Sequence, residues 1–408
     1  MRRILTKHPH SAELVFVDSS GGMDRYDCRV FLLLTHSVAG GIPVGCLITT
    51  SESKETISTA LGLYKEMFPS DAFYGRGQRG PAVFMTDDCE AEQQSLKSTF
   101  PEATCLLCKF HFFQALWRYL WDAKHGISKE DRPHLLVFVK NMMYACSEND
   151  LKCMYANFCQ DSVVLRYRNY ADHVDKLYSR RDEWALWLRT NLPVRGNDTN
   201  NYVEAAMRIL KDHIFERFRA YSPLQLLDFI LVRMQNYYER RLTDLANGRL
   251  DVMLSKRYIP DQGNITPEMI SLVGDAPGLY QVESETTVDH FYSVDMVNGM
   301  CTCHVGLNGA LCKHQNTVYK HHDVKSFNFF PVRDETMRQH LFYLASGIEV
   351  SQLPENWFCP LGASTATEQE DQDSLVAEPA MDVGGHSDPT VMETCNEHVD
   401  IQFVLDGI

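Results

Sequence analysis

Cys301, Cys303, Cys312 and His314 stand within fourteen residues as C-x-C, an eight-residue gap and C-x-H. Three thiols and one imidazole at that spacing are enough to close a tetrahedral Cys3His shell around Zn2+, whose favoured donors are thiolate sulfur and imidazole nitrogen. The surrounding pattern supplies a way to assemble the shell. Asn298-Gly299 predicts a two-residue hairpin turn, with Met300 to His304 as the returning strand. Alternation along that strand puts Cys301 and Cys303 on one face and His304 on the other. Gly306 and Gly309 let the chain double back, so that Cys312 and His314 close the shell at the start of a helix from Lys313 to His321. Buried core cysteines are the plain alternative, but two spaced pairs around a glycine turn read more strongly as ligands.

A second set of residues offers different chemistry. Asp18 ends the apolar run Leu14 to Val17, Asp87 ends the apolar run of residues 81–86, and Glu204 sits in a helical stretch from Asn197 to Lys211. If they converge, three carboxylates make hard oxygen ligands for Mg2+ or Mn2+. Two such ions can activate a water or a 3′-hydroxyl and stabilise the leaving oxygen of a phosphodiester. Taken singly, each residue has an ordinary role. Asp87 and Glu90 have capping-box spacing, Asp18 before Ser-Ser-Gly-Gly suits a turn, and most helical glutamates are solvated. Cys108 and His111 form a C-x2-H step, and two ligands alone read as helix packing.

The elements that must position these residues follow from periodicity. Residues 13–18, 28–35 and 43–49 read as a three-stranded antiparallel meander. A helix over 51–68 shows 3.6-residue apolar spacing. Residues 81–86 and 103–107 read as two further strands alternating with helices, the second followed by a helix over 110–125. Residues 129–195 look helical and carry candidate nucleic-acid-backbone contacts, Arg166, Arg168, Arg180, Arg181 and Arg189, among Tyr and Trp. Ser222-Pro223 is a strong helix start, and Asn247-Gly248 a helix stop. Three hairpin strands followed by strands alternating with helices predict an α/β fold with a ribonuclease-H-like mixed sheet.

Of the net charge of −15, −11 falls in residues 361–408, leaving −4 for the body, so a strongly basic nucleic-acid coat is excluded but a local basic groove is not. That acidic, aromatic-poor stretch is expected to be disordered. Thirteen cysteines without a framework pattern suit a reducing compartment. The most apolar stretch, residues 30–49, is broken by polar residues, glycines and Pro43, so no membrane span is expected.

The cysteine loop resembles the SWIM zinc finger, whose signature is C-x-C, a variable gap and C-x-H. The body resembles the catalytic domain of MULE (Mutator-like) transposases through Phe16-Val17-Asp18-Ser19-Ser20, Phe84-Met85-Thr86-Asp87, Cys108-Lys109-Phe110-His111 and Thr199-Asn200-Asn201-Tyr202-Val203-Glu204. The resemblance implies that Asp18, Asp87 and Glu204 are the metal-binding DDE triad and that a helical insertion separates the last two. It also implies a domain plan. A ribonuclease-H-like domain would span 10–248, with the insertion over about 112–197. A connector at 249–277 would lead to a ββα SWIM finger at 278–322, a helical segment at 323–360 and the acidic tail at 361–408. Ser20 departs from the commoner Thr, and only seventeen residues precede Asp18, too few for the N-terminal DNA-binding module that such transposases carry. The expectation is a nuclear, transposase-derived protein that binds Zn2+ and contacts DNA or a protein partner. The alternative is a working transposase using Mg2+ or Mn2+.

Overall fold

The first strand is an uninterrupted apolar run, Leu14–Ser20, and its first four residues are buried, as suits a strand covered on both faces. Around it the computed structural model builds a mixed five-stranded sheet in the order β3-β2-β1-β4-β5. Its members are β1 Leu14–Ser20, β2 Arg29–Thr35, β3 Ile42–Thr49, β4 Val83–Thr86 and β5 Thr104–Leu107. The β1–β2 and β2–β3 pairs are antiparallel, and β1–β4 and β4–β5 are parallel. The expected meander and the two later strands are thus all present. The register of β2 on β3 shifts between Leu33 and Leu34, opposite Gly45 and Pro43. A bulge on the outer strand accommodates a proline that cannot donate to a ladder. Gly45 also leaves room for the Tyr64 ring, whose hydroxyl donates to the Val44 carbonyl at 3.0 Å.

Described are residues 1–248, 260–273, 278–322, 324, 335–354 and 357–358. The acidic tail lies outside them, as does much of the expected connector. Residues Met1–Phe358 form one compact unit with three apolar cores. One lies around the five-stranded sheet. A second holds the helical segment together through Phe112, Leu116, Phe158, Tyr170 and Trp184. The third, around Tyr280, Val282, Val294 and Val318, surrounds the cysteine loop.

The cysteine loop sits on a larger sheet than a hairpin. Four antiparallel strands run in the order β6-β7-β8-β9: Ile270–Leu272, Leu279–Glu283, Phe291–Asp295 and Met300–Cys301. The strand Ile270–Leu272 falls in the stretch read as a patternless connector; three residues are too few to show alternation. The turn also differs from expectation. Asp295 pairs with Met300, so residues 296–299 form a four-residue loop. Asp295 accepts from the Asn298 backbone N–H at 3.0 Å and from its side-chain amide at 2.7 Å, which holds that longer loop closed. Among the described residues, no helix is long and apolar enough to cross a membrane.

Candidate metal centres

The four predicted ligands meet. The ligand atoms of Cys301, Cys303, Cys312 and His314 all lie within 4.8 Å of one another, and all four residues are buried. The return strand ends at Cys301, so Cys303 is placed by a turn, yet the alternation survives: Cys301 and Cys303 are buried while Thr302 and His304 are exposed. The helix Lys313–His322 carries His314 in its first turn, directly after Cys312. Tyr292 from β8 stacks on the His314 ring with centroids 4.2 Å apart and fixes its plane. The Gly306 N–H points at Cys303 Sγ at 3.2 Å. Hydrogen bonds from Cys301 and Cys312 pull the Cys303 thiol far below its ordinary range, and the bond to Cys303 pushes Cys301 far above it. A soft, closed, four-donor cluster of this kind fits a metal ion.

The loop is fastened to the sheet by Arg195. Its backbone N–H donates to the Asn308 carbonyl at 2.7 Å and its guanidinium to the Asn298 carbonyl at 2.6 Å. Gly196 and Gly309, both at positive φ, keep this seam clear: a Cβ on Gly196 would come 2.8 Å from that of Ala310, and one on Gly309 would come 2.7 Å from the Arg195 side chain.

The three carboxylates are neighbours, the charges of Asp87 and Glu204 both acting on Asp18 and His111 lying between Asp87 and Glu204, but they do not bring one oxygen each within 4.8 Å of one another as the cysteine cluster does. The last parallel pair of β1 with β4 is Phe16 with Met85. Two residues further on come Asp18, still paired with Leu32 of β2, and Asp87, just past the end of β4, at the same level on adjacent strands. The helix Asn201–Ile209 brings Glu204, and the Asn200 side chain anchors its start by donating to the Val17 carbonyl at 2.8 Å. Burial, with help from the Asp87 charge, raises the Asp18 carboxyl to about 7. Asp87 is not a helix cap: the helix Glu90–Thr99 starts after Cys89, which makes no side-chain capping bond. Asp18, Ser19, Ser20 and Glu204 line an open cleft with Arg208, Lys211 and Arg217.

Two residues at this centre were not expected in these roles. His111, in the helix Lys109–Trp121, stands between the carboxylates, Nδ1 at 2.5 Å from Asp87 Oδ1 and Nε2 at 3.5 Å from Glu204 Oε1. Burial opposes charge on its ring, but the Asp87 and Cys108 contacts outweigh it and raise the imidazole to about 10. The C-x2-H step is therefore more than helix packing. Glu92 lies buried beneath the site, and burial followed by the Asp18 and Asp87 charges pushes its carboxyl well above the ordinary range. Its placement on the inner face of a helix was legible only as one charged residue among several.

The arginine set disperses. Arg166 pairs with Asp131 at 3.1 Å on the surface, and Arg168 is exposed. Arg181 is half-buried with its guanidinium over the Tyr178 ring. Arg180 is held by Asp88, Glu183 and Gln93. Arg189 is a correction. Its side chain is 2% exposed and its guanidinium donates to the Leu107 carbonyl at 2.6 Å and pairs with Asp198, so it is not placed to contact a nucleic-acid backbone.

The sequence matches no protein-family model and no curated protein.

Proposed function

We propose that the chain is a zinc-binding protein whose Cys3His loop is a SWIM-type finger appended to a ribonuclease-H-like, transposase-derived body, serving in the nucleus as a DNA- or protein-interaction module. The observation that carries this reading is the buried convergence of Cys301, Cys303, Cys312 and His314. Three thiolates and one imidazole leave no open coordination position, so the ion's role there is to hold the fold. Inductively coupled plasma mass spectrometry on the purified chain tests it. The C301S/C303S variant should hold about one Zn2+ fewer per chain than wild type, and equal content in the two would reject the assignment.

A second reading, metal-dependent phosphodiester chemistry of the DDE type, is supported by the nearness of Asp18, Asp87 and Glu204 around His111. These carboxylates would hold Mg2+ or Mn2+, which when bound supplies the charge that activates a water or a 3′-hydroxyl and stabilises the leaving oxygen. The rest is done by side chains of the chain. His111 keeps the Asp87 and Glu204 carboxylates facing one point. Arg208 and Lys211 line the same cleft and are placed to pair with a phosphate. Mn2+-dependent cleavage of a labelled DNA duplex, abolished in D87N, is the expected result. Cleavage that persists in D87N, or none in wild type, rejects this second reading and leaves the first standing.

A further inference from the structure

We propose that Cys108, His111 and Glu204 form a second metal site, in the body of the chain, suited to a thiophilic divalent cation such as Zn2+ rather than to Mg2+. Their ligand atoms all lie within 4.8 Å of one another. One ion about 2.0 to 2.3 Å from each sulfur, nitrogen and oxygen reaches all three at that separation.

Each ligand is held by a different part of the fold. Cys108 is fully buried at the end of β5, its N–H donating to the Thr86 carbonyl on β4 at 2.8 Å. His111 follows by three residues in the first turn of the Lys109–Trp121 helix, which sets it over Cys108 on one face. Glu204 enters from the Asn201–Ile209 helix. The start of that helix is tied to the same cysteine, because the Asn200 N–H points at Cys108 Sγ at 3.2 Å.

A separate observation points to a ligand. Glu204 Oε1 is a buried atom with no hydrogen-bond partner, and His111 Nε2, the ring nitrogen turned away from Asp87, lies 3.5 Å from it. A polar atom buried in this way is costly unless something satisfies it. Asp87 and His111 also have the arrangement found behind metal-ligating histidines: one ring nitrogen faces a carboxylate and the other is turned toward the ligand set. Asp87 stands behind Nδ1, while Nε2 faces Glu204.

The donors decide which ion. One sulfur, one nitrogen and one carboxylate oxygen favour Zn2+ or Co2+ over Mg2+, which demands oxygen ligands. Three protein ligands leave a position open, the pattern of reactive rather than structural zinc sites. It would face the cleft shared with Asp18 and Lys211. Glu204 belongs to both this set and the carboxylate triad, so Zn2+ here would compete with Mg2+ or Mn2+ for it.

The test uses the full chain with Zn2+ and Co2+ as probes. Wild type should hold about two Zn2+ per chain. C301S/C303S should keep one of them, and adding C108S should remove it. Titrating Co2+ into C301S/C303S should give a thiolate-to-cobalt absorption band that C108S abolishes. E204Q and H111Q should each weaken Co2+ binding at least tenfold, and they carry the test if C108S does not fold. A C301S/C303S protein that binds no Zn2+, or one whose Zn2+ and cobalt band survive in C108S, H111Q and E204Q, overturns the proposal. Failure of the Cys3His assignment would read differently, as metal content unchanged between wild type and C301S/C303S.

Discussion

Arg195 and Glu13 form a two-point ion pair across 182 residues, Nε to Oε2 at 2.7 Å and Nη2 to Oε1, with the arginine side chain 4% exposed. Glu13 directly precedes β1, and Arg195 belongs to the segment that leads into the Glu204 helix while also holding the Asn298 carbonyl of the cysteine loop. One guanidinium thus ties the sheet, the carboxylate helix and the cysteine loop together.

Removing that guanidinium leaves a shielded carboxylate and the Asn298 carbonyl without the arginine donor. R195A should lose about 3 kcal/mol of stability, the cost of breaking a buried pair from one side. R195K should recover little, because an ammonium cannot make the side-on two-point contact. Urea denaturation of R195A, E13Q and the double variant measures this. Additive losses would show that the pair carries no coupling.

Gly306 controls whether the cysteine loop can close. A Cβ there would lie 2.3 Å from the Cys301 Cβ and 3.0 Å from its Cα, both too close for any rotamer to relieve. G306A should therefore lower zinc affinity at the Cys3His cluster by at least tenfold, about 1.4 kcal/mol, with the body's helix content unchanged. A zinc competition titration that gives wild-type affinity would show that the loop tolerates another path.

The sheet was legible because its strands are apolar runs bounded by glycines and aspartates, and the Cys3His group because four candidate ligands crowd one short loop. The second cluster was not. Cys108 and His111 are 93 or more residues from Glu204 in sequence, and ties such as those of Asn200 to Val17 and Cys108 bring them together. The strand Ile270–Leu272 is too short for alternation to show. The long helix from Pro223 carries a π-helical stretch over Phe229–Met234, whose wider turn has no marker in residue type. Arginine composition was misleading for the same reason: a guanidinium's partner is a matter of tertiary placement.

Arg189 makes that point testable. Its guanidinium satisfies the Leu107 carbonyl at the end of β5 and pairs with Asp198. R189A should cost about 3 kcal/mol, because it strands buried acceptors. If the chain binds DNA as proposed, R189A should leave the salt dependence of that binding unaltered at temperatures where the variant is folded. Arg166 and Arg168 are exposed, and R166A/R168A should flatten the slope of log K against log salt by roughly one to two units if they touch phosphates. An R189A protein with wild-type stability and a flattened slope would reverse this assignment.

Acid should loosen the joint between the N-terminal segment and the helix Glu335–Ser346. His8 is 2% exposed, its Nε2 facing the His36 carbonyl at 2.8 Å and its Nδ1 facing His340 at 3.3 Å. Burial first, then the neighbouring His340 ring, lowers it to about 3 from an ordinary 6.5. His10 lies well below its ordinary value and His340 is lowered, both through burial. The folded state therefore refuses protons that the unfolded chain accepts, so the stability is full above pH 6.5 and drains away as pH falls toward 3. At pH 5, one and a half units below the unfolded value, His8 alone accounts for roughly 2 kcal/mol. Urea midpoints at pH 7.5 and 5 should fall together with pH in wild type. In H8Q, whose amide can still donate to the His36 carbonyl, the fall should be smaller by about that amount. An identical fall in both proteins would mean that the His8 ring takes up its proton without unfolding.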